Sequence, residues 1–98
     1  MEWISPEHCD PPHSVSHPDH AIELANQFLK GGWDRSKPAL IGYPWGNKIQ
    51  LLSGSHRWIA AKMTNTLIPC VVVPFEEVKA AWGDLAMWSV LMHRGDSW

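Results

Sequence analysis

The 98 residues are 45% apolar and include seven tryptophans, which excludes disorder for the bulk of the chain and limits it to one domain around a single modest core. Eight Lys and Arg stand against ten Asp and Glu, a net charge of −2, and the basic residues are scattered, which excludes the obvious basic face of a duplex-DNA binder. No apolar run approaches the ~20 residues of a bilayer span, Met1-Glu2-Trp3-Ile4-Ser5 lacks the character of a secretory signal, and Cys9 and Cys70 sit in unlike settings, so the expectation is a cytoplasmic protein with free thiols and no membrane partner.

Residues 1–15 are rich in proline and histidine and carry little periodicity, so they read as an irregular leading segment in which Trp3-Ile4 form a short strand or a cover for the core. The first helix is predicted from Ser16-His17-Pro18-Asp19, where a serine followed three positions later by an acid resembles a capping box and proline suits a first turn. It ends at Gly31-Gly32. Ala21, Ile22, Leu24, Ala25, Phe28 and Leu29 fall within roughly 160° of one another on a helical wheel, a core-facing stripe, and His20, Glu23, Asn26, Gln27 and Lys30 occupy the other face.

Turn formers over 33–38 lead to a strand at 39–43, which Pro44-Trp45-Gly46-Asn47 folds into a hairpin with 48–53. After Gly54-Ser55-His56-Arg57 comes a short Ala-rich helix, then Thr64-Asn65-Thr66, then an apolar strand over 67–73 that reads as buried on both faces. Residues 75–94 form a terminal helical region with acids in its first turn and His93-Arg94 in its last, broken in two at Gly83-Asp84, with Trp82 and Trp88 expected in the core. The sum is an α/β (α+β) domain over 1–98, a mixed sheet of about four short strands with flanking helices.

Gly54-Ser55-His56-Arg57 carries the most chemistry. A glycine at a strand-to-helix junction lets backbone N–H groups approach a ligand, and the positive end of the following helix favours an anion there. His56 and Arg57 add side-chain donors, the guanidinium with a planar fork matched to phosphate oxygens. The turn reads as a phosphate cradle, against the plain alternative of a solvated arginine at a helix start. The hydroxyls of Ser53 and Ser55 are further donors, although serines in such places are commonly caps.

Strand, Gly-x-His-Arg turn, Ala-containing helix and the Leu67-Ile68-Pro69-Cys70-Val71-Val72-Val73 strand together resemble the ParB/sulfiredoxin superfamily, over roughly residues 16 to 74. The resemblance implies a small nucleotide-binding domain and a second site element on the first helix, whose polar face would line the nucleotide pocket with His20, Glu23 and Gln27, Lys30 one turn further. Positions i, i+3 and i+7 do share a helix side; the bland reading of the same residues is a solvated face. The chain departs from the superfamily's members in telling places. Sulfiredoxins carry a catalytic cysteine directly before His-Arg, and Ser55 stands there, whose hydroxyl cannot do thiolate chemistry. Chromosome-partitioning ParB proteins have a Gly-Glu-Arg-Arg turn, a later Glu-Asn motif and a helix-turn-helix domain, none of which occurs in this sequence. Free-serine kinases have Asp-Gly-His-His-Arg where this chain reads Ser53-Gly54-Ser55-His56-Arg57.

The favoured expectation is therefore nucleotide hydrolysis or phosphoryl transfer by an ATP- or CTP-dependent phosphohydrolase or phosphotransferase, with Mg2+ arriving on the nucleoside triphosphate. Gly54, Ser55, His56 and Arg57 would hold phosphate together with His20 and Gln27, and Glu23 and His56 would be the catalytic pair, Glu23 as general base or divalent-ion ligand and Asp19 a weaker second. Two other readings stand beside it. One is a ParB-like nuclease or nucleic-acid binder, whose signature would be a steep fall of affinity with salt. The other is a protein-interaction or inhibitor module that keeps the fold, with a protein partner or a second copy bound through tryptophans exposed at the hairpin and at Trp98. A zinc site from Cys9, His13, His17 and His20, with His8 nearby, matches no familiar ligand spacing. Trp33, Trp45 and Trp58 are candidates for base stacking, Trp45 first among them.

Overall fold

The protein, described from a computed structural model over residues 1–97, builds its sheet outwards from a central hairpin. β3 (Leu40–Trp45) and β4 (Lys48–Leu51) form the expected hairpin, closing with Trp45 opposite Lys48 across Gly46-Asn47. β5 (Ile68–Val72) lies parallel to β3 on its other side. A three-stranded centre leaves two rows of unpaired backbone groups, and the leading segment covers both. β1 (Glu2–Ile4) pairs antiparallel with β5, and after a 3-10 turn at Pro6–His8 the two-residue β2 (Cys9–Asp10) pairs parallel with β4. The sheet thus has five strands in the order β1-β5-β3-β4-β2, one more than expected, because Cys9-Asp10, read as irregular, is an edge strand too short to show a period.

Side chains alternate across this sheet and divide the core in two. Leu40, Leu51, Ile68 and Cys70 face a cluster with Phe28, Trp33, Ala60 and Ala61, under helices α1 (Pro18–Gly31) and α2 (Ser55–Thr64). Ile41 and Val73 face the opposite way, onto Val78, Ala81 and Leu91 of α3 (Phe75–Ala81) and α4 (Leu85–Met92). Burial of the free thiols pushes Cys9 up to about 11 and Cys70 up to about 12, so both stay protonated at neutral pH.

Three sequence expectations are corrected. The capping box at Ser16 does not form: α1 has His17 at its N-cap, with no side-chain cap, and starts at Pro18. The apolar stripe of α1 is narrower than its sequence, since Ala21, Ala25 and Phe28 are buried while Ile22 and Leu29 are 50% and 71% exposed. A helix in an outer layer meets its neighbours along one stripe, and these two residues lie beyond its edge. Trp82 is 74% exposed rather than core, because the chain breaks there: it is the residue that ends α3, and its ring stands edge-on to the half-buried Trp88 at 5.9 Å. The break itself was expected. Gly83 takes φ +79 and the Asp84 carboxylate accepts the Met87 N–H at 3.1 Å to cap α4. Trp98 lies outside the described residues.

Candidate functional site

The turn that leaves β4 for α2 sits directly on the core strand β3. Gly54 occupies the N-cap of α2 in the left-handed region (φ +85, ψ +34), and a Cβ there would stand 2.4 Å from Leu40 Cδ2. Both facts demand glycine. No side chain caps α2, and its first intrahelical bond runs from Trp58 N to the Gly54 carbonyl at 2.8 Å, so the N–H groups at its start are the donors left for a ligand.

The side chains of the turn are more engaged than the sequence suggests. Ser55 is 1% exposed and its hydroxyl donates to the His13 carbonyl at 2.9 Å, tying the leading segment to α2. His56 Nε2 accepts the His17 N–H at 3.1 Å, which makes that nitrogen unprotonated and leaves Nδ1 to carry the proton of the neutral ring. Arg57 donates from one terminal nitrogen to the Pro38 carbonyl at 2.8 Å and lies 5.4 Å from the centre of the Trp33 ring, which stacks on Phe28. One such bond uses a single donor of the five a guanidinium carries. Burial pulls the Arg57 pKa below its ordinary value.

Beside these groups opens a cleft of about 480 Å³, walled by the 54–57 turn, by His20, Leu24, Gln27 and Phe28 of α1, by His13, and by Trp33, Asp34, Lys37 and Pro38 of the α1–β3 linker. Of the residues singled out in the sequence, Gly54, Ser55, His56, Arg57, His20 and Gln27 meet here, while Glu23 stands outside the wall, its carboxylate 75% exposed and 4.0 Å from His20 Nδ1. Asp19 does not border the cleft either. Trp33, a stacking candidate in the sequence, also lines the cleft, whereas Asp34, Lys37 and Pro38 carry only turn signals and gain meaning once β3 sets them opposite α2. The Asp34 carboxyl is held low by the Ser36 hydroxyl and N–H, at 2.6 and 2.9 Å.

Three imidazoles, His13, His20 and His56, border the cleft at its polar end, and a fourth, His17, lies against His56 outside the wall. The His17 and His56 rings stack at 5.7 Å, and the His20 ring is tilted at 5.4 Å from His56. Desolvation, and then the neighbouring His20, His17 and His13, hold the His56 pKa below its ordinary value. Cys9 turns into the core, and among the described residues no three His, Cys, Asp or Glu side chains are placed to hold one metal ion. Of the other tryptophans, Trp58 is fixed by donating Nε1 to the Pro6 and Cys9 carbonyls at 2.8 and 3.2 Å, and Trp45 is 62% exposed at the hairpin tip beside Tyr43 and Phe75. A groove of about 510 Å³ between α3 and α4 is mostly apolar, and its two charged lining residues, Glu77 and Arg94, are paired with each other rather than free for a ligand, which leaves the cleft as the candidate.

No protein-family model matches the chain, and no curated protein matches it in sequence. Solved structures do match in shape. Sulfiredoxin from Arabidopsis thaliana superposes with a TM-score of 0.61 at 16% identity, over 83% of this chain and 94% of that one. The C-terminally truncated chromosome-partitioning protein ParB from Caulobacter crescentus, complexed with CTP-gamma-S, gives 0.61 at 19% identity over 95% of this chain, which spans 51% of the ParB chain. A conserved hypothetical protein from Pyrococcus furiosus gives 0.56 at 19% identity, over 76% of this chain and 33% of that one. The fold is of the ParB/sulfiredoxin type.

Proposed function

We propose that this ParB/sulfiredoxin-like domain binds a nucleotide, with its phosphates at the start of α2. The observation that carries the reading is the coincidence of an uncapped helix start, two basic side chains and a nucleotide-sized cleft at one place in the fold. The ParB structure of the same shape contains CTP-gamma-S, which supports it. The N–H groups of the turn would meet the phosphate oxygens, the His56 imidazole and the remaining Arg57 donors would add to them, and Gln27 would face the ligand from α1. Phosphoanhydride hydrolysis or phosphoryl transfer is the reaction class this arrangement would serve, since positioning and charge stabilisation dominate it. Glu23, outside the wall beside His20, would have to turn towards the cleft to act as base or help hold Mg2+ brought by the nucleotide.

The test is calorimetric titration with CTP, ATP and ADP, with and without magnesium. We expect saturable binding of at least one, weakened at least about tenfold by Arg57→Ala, the loss of one charge-assisted contact. Absence of saturable binding by all three would end the nucleotide reading.

A second reading has its own observation. Trp82, Leu85, Met87 and Val90 are 74%, 87%, 47% and 73% exposed along α4 and the break before it, an apolar surface suited to a protein partner.

A further inference from the structure

His56 does two jobs at once. It is the second residue of α2, and its Nε2 accepts the main-chain N–H of His17, the N-cap residue of α1. One imidazole therefore latches the starts of two helices together, and neither start has a side-chain cap. The latch requires a lone pair. Protonating Nε2 converts the acceptor into a donor, sets it against another donor, and breaks the bond.

The surroundings decide when that happens. From the leading segment and α1, His56 faces His13, His17 and His20; from its own helix, Arg57; and from the linker across the cleft, Lys37 and Asp34. The carboxylates at hand are Asp34, which is bound to Ser36, and the exposed Glu23 beside His20. An empty cleft thus disfavours a positive charge on His56, by desolvation and by its imidazole neighbours. A dianion in the cleft reverses the sign of the local field. Trp33, 7% exposed, is part of the same wall, and its Nε1 is buried with no hydrogen-bond partner among the described residues.

We propose that the polar end of the cleft is a proton-coupled trap for a phosphate-like dianion, in which the anion enters together with one proton and replaces the hydrogen bond between the His17 N–H and His56 Nε2. The proton comes from solvent and goes to Nε2. The released His17 N–H and the new Nε2–H then both donate to the anion, with the N–H groups at the start of α2. This regulation rests on the phosphate reading of the site.

Inorganic sulfate is the probe, because it has phosphate's shape and no titrating proton across the histidine range around pH 6.5. Calorimetry near pH 7 in two buffers of different ionisation enthalpy counts the protons taken up. We expect close to one per sulfate, and an affinity that tightens by up to about tenfold for each pH unit lowered towards 6. In His56→Gln the side-chain oxygen still accepts the His17 N–H but does not titrate, so uptake falls to near zero and the pH slope flattens. In the unmodified protein, imidazole NMR should show the His56 pKa rising on addition of sulfate, which guards against a variant that misfolds. Sulfate binding with no proton uptake and an unmoved His56 pKa overturns the trap and leaves the phosphate site standing. No binding of sulfate or pyrophosphate at any pH between about 5.5 and 8 overturns both.

Discussion

At Gly54 the backbone must run left-handed directly over the Leu40 side chain, and a single methyl group would collide with it at 2.4 Å. Gly54→Ala should cost about 3 kcal/mol, the sum of backbone strain and overpacking, read as a lower urea midpoint at unchanged slope. The glycine was legible in the sequence as a ligand approach; its packing against β3 was not, because Leu40 is distant along the chain. His56 is the other decisive residue. Its folded pKa is depressed, so on acidification the unfolded chain takes up the proton first. Stability contributed at neutral pH is therefore lost as pH falls below the ordinary histidine value of about 6.5. A melting temperature that declines from pH 7 to pH 5.5, and declines less in His56→Gln, is the expected result. Ser55 shows how a residue type misleads: its hydroxyl is right for a phosphate, yet it is buried on the His13 carbonyl.

Elements were legible where their pattern is long or their punctuation strong. The hairpin at Gly46-Asn47, the end of α1 at Gly32 and the break at Gly83-Asp84 all follow from local backbone chemistry and hold without reference to the rest of the fold. Asp84→Ala removes the cap of α4 and should cost about 1 kcal/mol, measured by chemical denaturation. Its effect on nucleotide binding should be nil, since α4 packs on the sheet face opposite the cleft. Of the two edge strands, β1 was legible at Trp3-Ile4 only as one of two alternatives and β2 not at all, because strands of three and two residues have no measurable period; partners supplied by β5 and β4 define them. The breadth of an apolar stripe was likewise misjudged, since Ile22 and Leu29 have the right chemistry and no neighbour to cover them.

For the molecule as a whole, a ligand that binds only the folded form adds stability by mass action. At a nucleotide concentration a hundredfold above Kd the gain is about 2.7 kcal/mol, which for a domain of this size raises the melting temperature by on the order of 10 °C. Arg57→Ala should lose most of that shift while keeping the melting cooperative. Local sequence alone determined the order of most elements, the glycine turn and the groups able to meet an anion, because propensity, capping and turn chemistry act over a few residues. The tertiary structure decided what those groups face: it brought the linker with Trp33 and Lys37 across from α2, set His17 against His56, and left Glu23 outside the wall. Those pairings join residues up to about forty positions apart, and only the packing of α1 and α2 on one face of the sheet brings them within reach.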